Sequence, residues 1–173
     1  MEKTLKRIVL VTGGERSGKS GYAQRLAISL SSNPVYLATS RIWDEEFRKR
    51  VERHQHDRGP EWTNIEEEKF ISVHDLTGRV VVIDCVTLWG TNFFFDNHGD
   101  VELSLAQLKA EFDKMSEKDA YLIFVTNEIG MGGVPIDETQ RKFTDMQGWF
   151  NQYIASKSDE VVLMVSGIPV KVK

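Results

Sequence analysis

A single cysteine, Cys85, stands in a chain of 173 residues. One thiol closes no intrachain disulfide and builds no cysteine-based metal cluster, and such sparing use suits a reducing, cytoplasmic compartment. Long hydrophobic runs are missing as well. No stretch reaches the eighteen apolar residues that a membrane span requires. The apolar part of the N-terminal segment, Ile8 to Val11, is too short for a secretory h-region, so neither a signal nor a span is expected. There is no basic surplus: 22 Lys and Arg face 26 Asp and Glu, for a net charge of −4. Broad binding to nucleic acid is therefore not expected, and any bound anion must be held by local geometry. With no repeated or low-complexity tract in it, the chain offers no linker. Residues 1–173 read as one domain.

What is present alternates. Ile8–Thr12, Val35–Ala38, Val80–Ile83, Tyr121–Thr126 and Val161–Val165 are short, continuously apolar runs, the composition of buried strands. Pro169–Lys173 adds a short edge strand, and Trp62–Glu66 reads as an irregular or extended crossing segment. Between the runs, apolar residues recur at helical spacing: Ala23, Leu26, Ala27 and Leu30; Phe47, Val51 and His54 behind a capping Asp44; Leu105, Leu108, Phe112 and Met115; Phe143, Met146, Phe150 and Ile154. Such alternation predicts a mostly parallel sheet with helices on both faces. Ligands bind such sheets at the carboxyl ends of the strands. Attention falls on Gly13–Lys19, Thr39–Arg41, Asp84–Thr87, Asn127–Gly130 and Ser166–Gly167.

The first of these, Gly13-Gly14-Glu15-Arg16-Ser17-Gly18-Lys19-Ser20, fits G-x-x-x-x-G-K-[ST] between a strand and a helix, the pattern of a phosphate loop. Glycines let the backbone turn its N–H groups toward phosphate oxygens, and the following helix adds its N-terminal partial charge. Lys19 then reaches the β- and γ-phosphates, and the Ser20 hydroxyl is placed to ligate Mg²⁺. A second Mg²⁺-directing carboxylate is expected at a strand end, where Asp84 and Glu128 compete and spacing does not choose between them.

From spacing alone His54 reads as a packing histidine on its helix stripe, and His56 as its solvated neighbour; His74 and His98 carry no constellation. Arg50, Arg53 and Arg58 read as solvated charges or as counter-charges to a triphosphate, Trp62 and Trp89 as packing, and Cys85 as a buried inert thiol.

Taken in order, GGERSGKS from Gly13, YLATS from Tyr36, the H-x-x-x-R-x-x-x-W-x-x-x-E spacing of His54, Arg58, Trp62 and Glu66, DCVTLWGTN from Asp84, VTNEIGMG from Val125, GWFNQ from Gly148 and the terminal SGIPVKVK resemble the bifunctional adenosylcobinamide kinase / adenosylcobinamide-phosphate guanylyltransferase family. The similarity spans almost the whole chain. It implies a single-domain α/β P-loop nucleotide-binding fold of the RecA-like kind. It implies two reactions of cobalamin biosynthesis: phosphorylation of adenosylcobinamide with ATP or GTP, then transfer of GMP from GTP to the new phosphate. By the same resemblance His54 is the covalent GMP carrier, and Thr39, Ser40, Arg41, Gln55, His56, Asp57, Arg58, Glu66 and Asp84 contact GTP, together with Gly13 to Ser20. Asp84 is thus claimed both by guanine and by Mg²⁺. Homotrimers are implied too. Two departures stand out: Gly59 separates Arg58 from Pro60, and Gly133 replaces an isoleucine in GMGGVP. The competing readings are a P-loop kinase without nucleotidyl transfer and a nucleotide-dependent switch. The switch would carry a base-reading N-K-x-D, and this chain has none.

Overall fold

The computed structural model describes residues 5–56 and 58–173, and the side chains of all of these except Arg50 and His54. Among the described residues seven strands form one sheet: β1 (Arg7–Gly13), β2 (Val35–Ala38), β3 (Thr63–Glu66), β4 (Val80–Asp84), β5 (Tyr121–Val125), β6 (Glu160–Val165) and β7 (Ile168–Lys171). Their spatial order is β3-β2-β4-β5-β1-β6-β7. All neighbours run parallel except the terminal pair, where β7 folds back antiparallel on β6. The carboxyl ends of β4, β5, β1 and β6 therefore lie side by side.

Five α-helices among the described residues complete the fold: α1 (Lys19–Leu30), α2 (Glu45–His56), α3 (Val86–Asp96), α4 (Val101–Ser116) and α5 (Glu138–Lys157). Side chains alternate across a strand, so each buried strand feeds two cores. On one face Val9, Val11, Val82 and Ile123 meet Ala23 and Ala27 of α1, whose small side chains let the helix lie close to the sheet. On the other, Leu10, Ile83, Leu122 and Phe124 meet Trp89, Phe93, Phe112 and Phe150 from α3, α4 and α5. The aromatic rings there pack tilted or edge-on, as at Trp89–Phe150 and Phe112–Phe150, the favoured geometry.

Asp44, Asp100 and Asp137 cap α2, α4 and α5 by accepting from Phe47 N, Leu103 N and Gln140 N at 2.7, 2.9 and 2.8 Å. The expected strands and helices are present, with two revisions. The crossing segment at 62–66 is a regular edge strand, β3, paired in register with β2. Helix α3 had no amphipathic signature because it is buried nearly all round, through Val86, Trp89, Gly90, Asn92, Phe93 and Phe94; a helix enclosed on all sides shows no polar stripe. Among the described residues no helix is long and apolar enough to cross a membrane.

Candidate active site at the strand ends

The turn between β1 and α1 is shaped by its glycines. Gly18 opens α1 at φ 95°, and a Cβ there would lie 3.3 Å from the Cα of Gly167 in the β6–β7 turn. At Gly13 a Cβ would press within 2.8 Å of the Met164 carbonyl oxygen. Only glycine fits both places. Gly167 N–H donates to Ser17 O at 2.9 Å, anchoring the loop to the neighbouring turn. Unlike α2, α4 and α5, α1 has no side-chain cap and no acidic residue in its first turn. Its first N–H groups therefore have no side-chain acceptor from a cap, the arrangement in which a helix N-terminus can receive an anion.

Lys19 is buried, and its Nζ donates to Gly14 O at 2.5 Å across the loop. Desolvation lowers its pKa, while Glu15, Asp84 and Cys85 pull it back up. Ser20 is half-buried in the first turn; Gly14, Glu15 and Arg16 are exposed on the rim.

Asp84 ends β4 half-buried and accepts from the Tyr36 hydroxyl at 2.8 Å. Burial, then the charge and hydrogen bond of Asp84, hold the Tyr36 phenol well above its usual pKa, so it remains the donor. Over the Tyr36 ring sits Arg58, its guanidinium carbon 3.7 Å from the centroid, a close cation–π contact. Arg58 Nε also donates to Asn64 Oδ1 at 2.9 Å, and Trp62 meets Tyr36 edge-on at 6.0 Å. Gln55 Nε2, near the end of α2, donates to Glu66 Oε1 at 2.5 Å. Gln55 and the motif residues Arg58, Trp62 and Glu66 are thereby gathered along the β2–β3 edge. His56 is exposed; His54 lies in α2, and Asp57 lies outside the described residues.

The residues after β2 tie the surrounding loops to α3. Thr39 is fully buried; its Oγ donates to Cys85 O at 2.7 Å and accepts from Cys85 N at 3.0 Å. Ser40 is half-buried. Arg41 is forked onto Asp96 at 2.8 and 3.1 Å and reaches Glu68 at 2.7 Å, with Lys69 on the same Asp96 at 3.0 Å. Thus Thr39 clamps the turn into α3, and Arg41 is tied to the far end of that helix. Cys85 is buried and burial pushes its thiol up to about 12, in line with the expected inert thiol.

Several residues of the site escaped sequence reading. Asn92 of α3 is almost fully buried and donates to both Thr39 O and Glu68 O, at 2.7 and 2.9 Å, joining the loops after β2 and β3. Thr12 donates to Glu128 Oε1 at 2.6 Å. Behind them Thr126, Gln147 and Asn151 form a buried polar network, with Thr126 Oγ donating to Asn151 Oδ1 at 2.7 Å and Gln147 Nε2 to Thr126 Oγ at 2.9 Å. An asparagine within an apolar helix was the available signal for Asn92; the others needed the strand order.

The family model for cobinamide kinase / cobinamide phosphate guanyltransferase matches residues 9–172. The chain is 38% identical over 181 aligned residues to the bifunctional adenosylcobalamin biosynthesis protein CobU of Escherichia coli K12, covering 96% of this chain and 99% of that one. It is 33% identical over 168 residues to the bifunctional adenosylcobalamin biosynthesis protein CobP of Pseudomonas aeruginosa PAO1, covering 95% and 96%. Among solved structures, the flagellar accessory protein FlaH of Methanocaldococcus jannaschii aligns with a TM-score of 0.52 at 14% identity, over 98% of this chain and 79% of that one. A second solved structure, an ATPase domain, aligns with a TM-score of 0.50 at 12% identity, over 93% and 70%. These two likenesses bear on the fold alone, a P-loop α/β fold of the RecA-like kind.

Proposed function

Because the chain belongs to the cobinamide kinase / cobinamide phosphate guanyltransferase family, we propose that it phosphorylates adenosylcobinamide with ATP or GTP. It then transfers GMP from GTP, through a covalent intermediate on His54, to give adenosylcobinamide-GDP.

One chain of contacts carries this reading. Arg58, two residues beyond α2, stacks on Tyr36; the Tyr36 hydroxyl holds Asp84; and Asp84 ends β4, which is joined through β5 to β1, the strand that leads into the phosphate loop. The segment bearing the histidine and the loop that grips phosphates are therefore linked at one set of strand ends. Lys19 and the uncapped start of α1 bind the phosphates, for both reactions in turn. A divalent cation fits the hard oxygen donors there, Ser20 and Asp84. Among the described residues no three His, Cys, Asp or Glu side chains gather to hold a metal unaided, so nucleotide phosphates complete its shell. When bound, the cation withdraws charge from the phosphate oxygens. Glu66, exposed at the end of β3, is the carboxylate assigned to the guanine N1–H and N2 amine, a donor pair adenine lacks.

In the second reaction a neutral His54 nitrogen attacks the α-phosphorus and pyrophosphate leaves. Helix α2 is suited to carry it. None of its described side chains is buried, so the helix can reorient toward the loop with little loss of core.

Incubation with α-labelled or γ-labelled GTP, followed by denaturation, tests the reading. Acid-labile label is expected on the chain from α-labelled GTP only, and is expected to be absent in His54→Ala. No retained label from an enzyme that binds GTP would remove the covalent step and leave the kinase alone.

A further inference from the structure

We propose that Glu128 is the proton acceptor of the phosphoryl-transfer reaction, taking the hydroxyl proton of the acceptor as its oxygen attacks the γ-phosphorus. The inference rests on the kinase half of the function proposed above.

Three observations place this carboxylate. Glu128 lies three residues past β5, the strand hydrogen-bonded to β1, and its N–H donates to the carbonyl of Gly13, the first loop glycine, at 3.0 Å. Its Oε1 accepts at 2.6 Å from Thr12, a buried side chain just before the loop. Its Oε2 has no hydrogen bond to any described residue, and Glu128 joins no ion pair among them. Other carboxylates have evident structural work: Asp96 pairs with Arg41 and Lys69, Asp113 with Lys157 and Glu160 with Arg7, while Asp44, Asp100 and Asp137 cap helices. Among the described residues Glu128 does neither. A carboxylate oriented through one oxygen, with its other oxygen bonded to no described residue, is equipped to accept a proton from an acceptor hydroxyl.

The segment carrying it is held rigidly. Asn127 N and Nδ2 donate to Thr87 Oγ at 3.2 and 3.0 Å, and Asn127 O accepts from Asn151 at 3.2 Å. Two residues beyond Glu128, Gly130 lines a groove of about 400 Å³ floored by α5, on the stretch of chain that carries the carboxylate. Asp84 differs in setting, since it accepts from Tyr36 and acts on Lys19. In this proposal the two strand-end carboxylates have different work, Asp84 toward the phosphates and Glu128 toward the acceptor hydroxyl.

The step balances. The acceptor O–H breaks and its proton passes to Glu128 Oε2. The oxygen forms a bond to the γ-phosphorus, and the bond from that phosphorus to the β–γ bridging oxygen breaks. The nucleoside diphosphate leaves with the electron pair, and Glu128 returns the proton to water. Guanylyl transfer needs no such base, because its nucleophiles are an imidazole lone pair and an already anionic phosphate.

The two halves are therefore separable in Glu128→Gln. Its kcat for cobinamide phosphorylation is expected to fall about 10²–10⁴-fold, the worth of a general base, with KM for the nucleotide unchanged. Labelling of the chain by α-labelled GTP, and transfer of that label to supplied adenosylcobinamide phosphate, are expected to keep the wild-type rate. An undiminished kinase rate overturns the proposal. So does an equal fall in both reactions, which would make Glu128 a ligand of the shared nucleotide or cation. Absence of labelling in the wild type is a failure of the guanylyltransferase reading, and the kinase comparison still decides the role of Glu128. Thr12→Val keeps the carboxylate and removes its donor, so it serves as the second variant should Glu128→Gln not fold. A smaller fall confined to the kinase half is expected, and an equal fall in both halves again overturns the proposal.

Discussion

Tyr36 shows how a residue without obvious chemistry organises residues that have it. Its ring supports Arg58 and its hydroxyl fixes Asp84 from within the core. Tyr36→Phe keeps the ring and deletes the donor. A hydrogen bond to a charged group contributes about 1.5–3 kcal/mol, and water can replace part of it at the half-buried Asp84. Urea unfolding of Tyr36→Phe is expected to show a loss of about 1–2 kcal/mol, with Arg58 still stacked. No change in the midpoint would mean that Asp84 is held by something else.

At the level of elements, the ion cluster of Arg41, Glu68, Lys69 and Asp96 joins the loop after β2, the loop after β3 and the end of α3. The hydrogen bonds from Arg41 and then Lys69 hold the Asp96 carboxyl far below the usual carboxylate range. A carboxylate whose folded pKa lies below its unfolded value, about 4, favours the fold above that unfolded value. The contribution is lost as pH falls from there toward the folded pKa. Wild type is therefore expected to exceed Asp96→Asn in urea midpoint at about pH 7, with the gap narrowing by about pH 3. The effect is expected to be modest, because the Asp96 side chain is 35% exposed and screened by solvent. A gap independent of pH would show that the cluster stabilises by packing.

At the scale of the whole molecule, Met131, Val134 and Ile136 are 74%, 85% and 98% exposed, with Trp149 half-exposed. Exposed large apolar side chains gathered in this way mark surfaces that meet another molecule. The proposed assembly is the homotrimer implied by the sequence resemblance, a closed cyclic form that would cover such surfaces in every copy. Light scattering is expected to give three times the 19.8 kDa chain mass. A monomer would leave this surface for another partner.

The phosphate loop, the strand runs and the helix stripes were legible in the sequence because they depend on local rules: glycine at special backbone angles, apolar continuity, 3.6-residue spacing. The loop's place between β1 and α1 followed from those rules, and so did the Asp44 cap. Helix α3 was not legible, since it is buried nearly all round and its more open face carries Leu88 and Phe95 rather than a charged stripe. Nor were the partners of the strand ends. That Thr12 meets Glu128 across 116 residues, and Tyr36 meets Asp84 across 48, depends on the order β2-β4-β5-β1. Local sequence determined which residues could do chemistry here; the sheet order decided which of them stand side by side, because pairing between distant strands is a property of the packed whole.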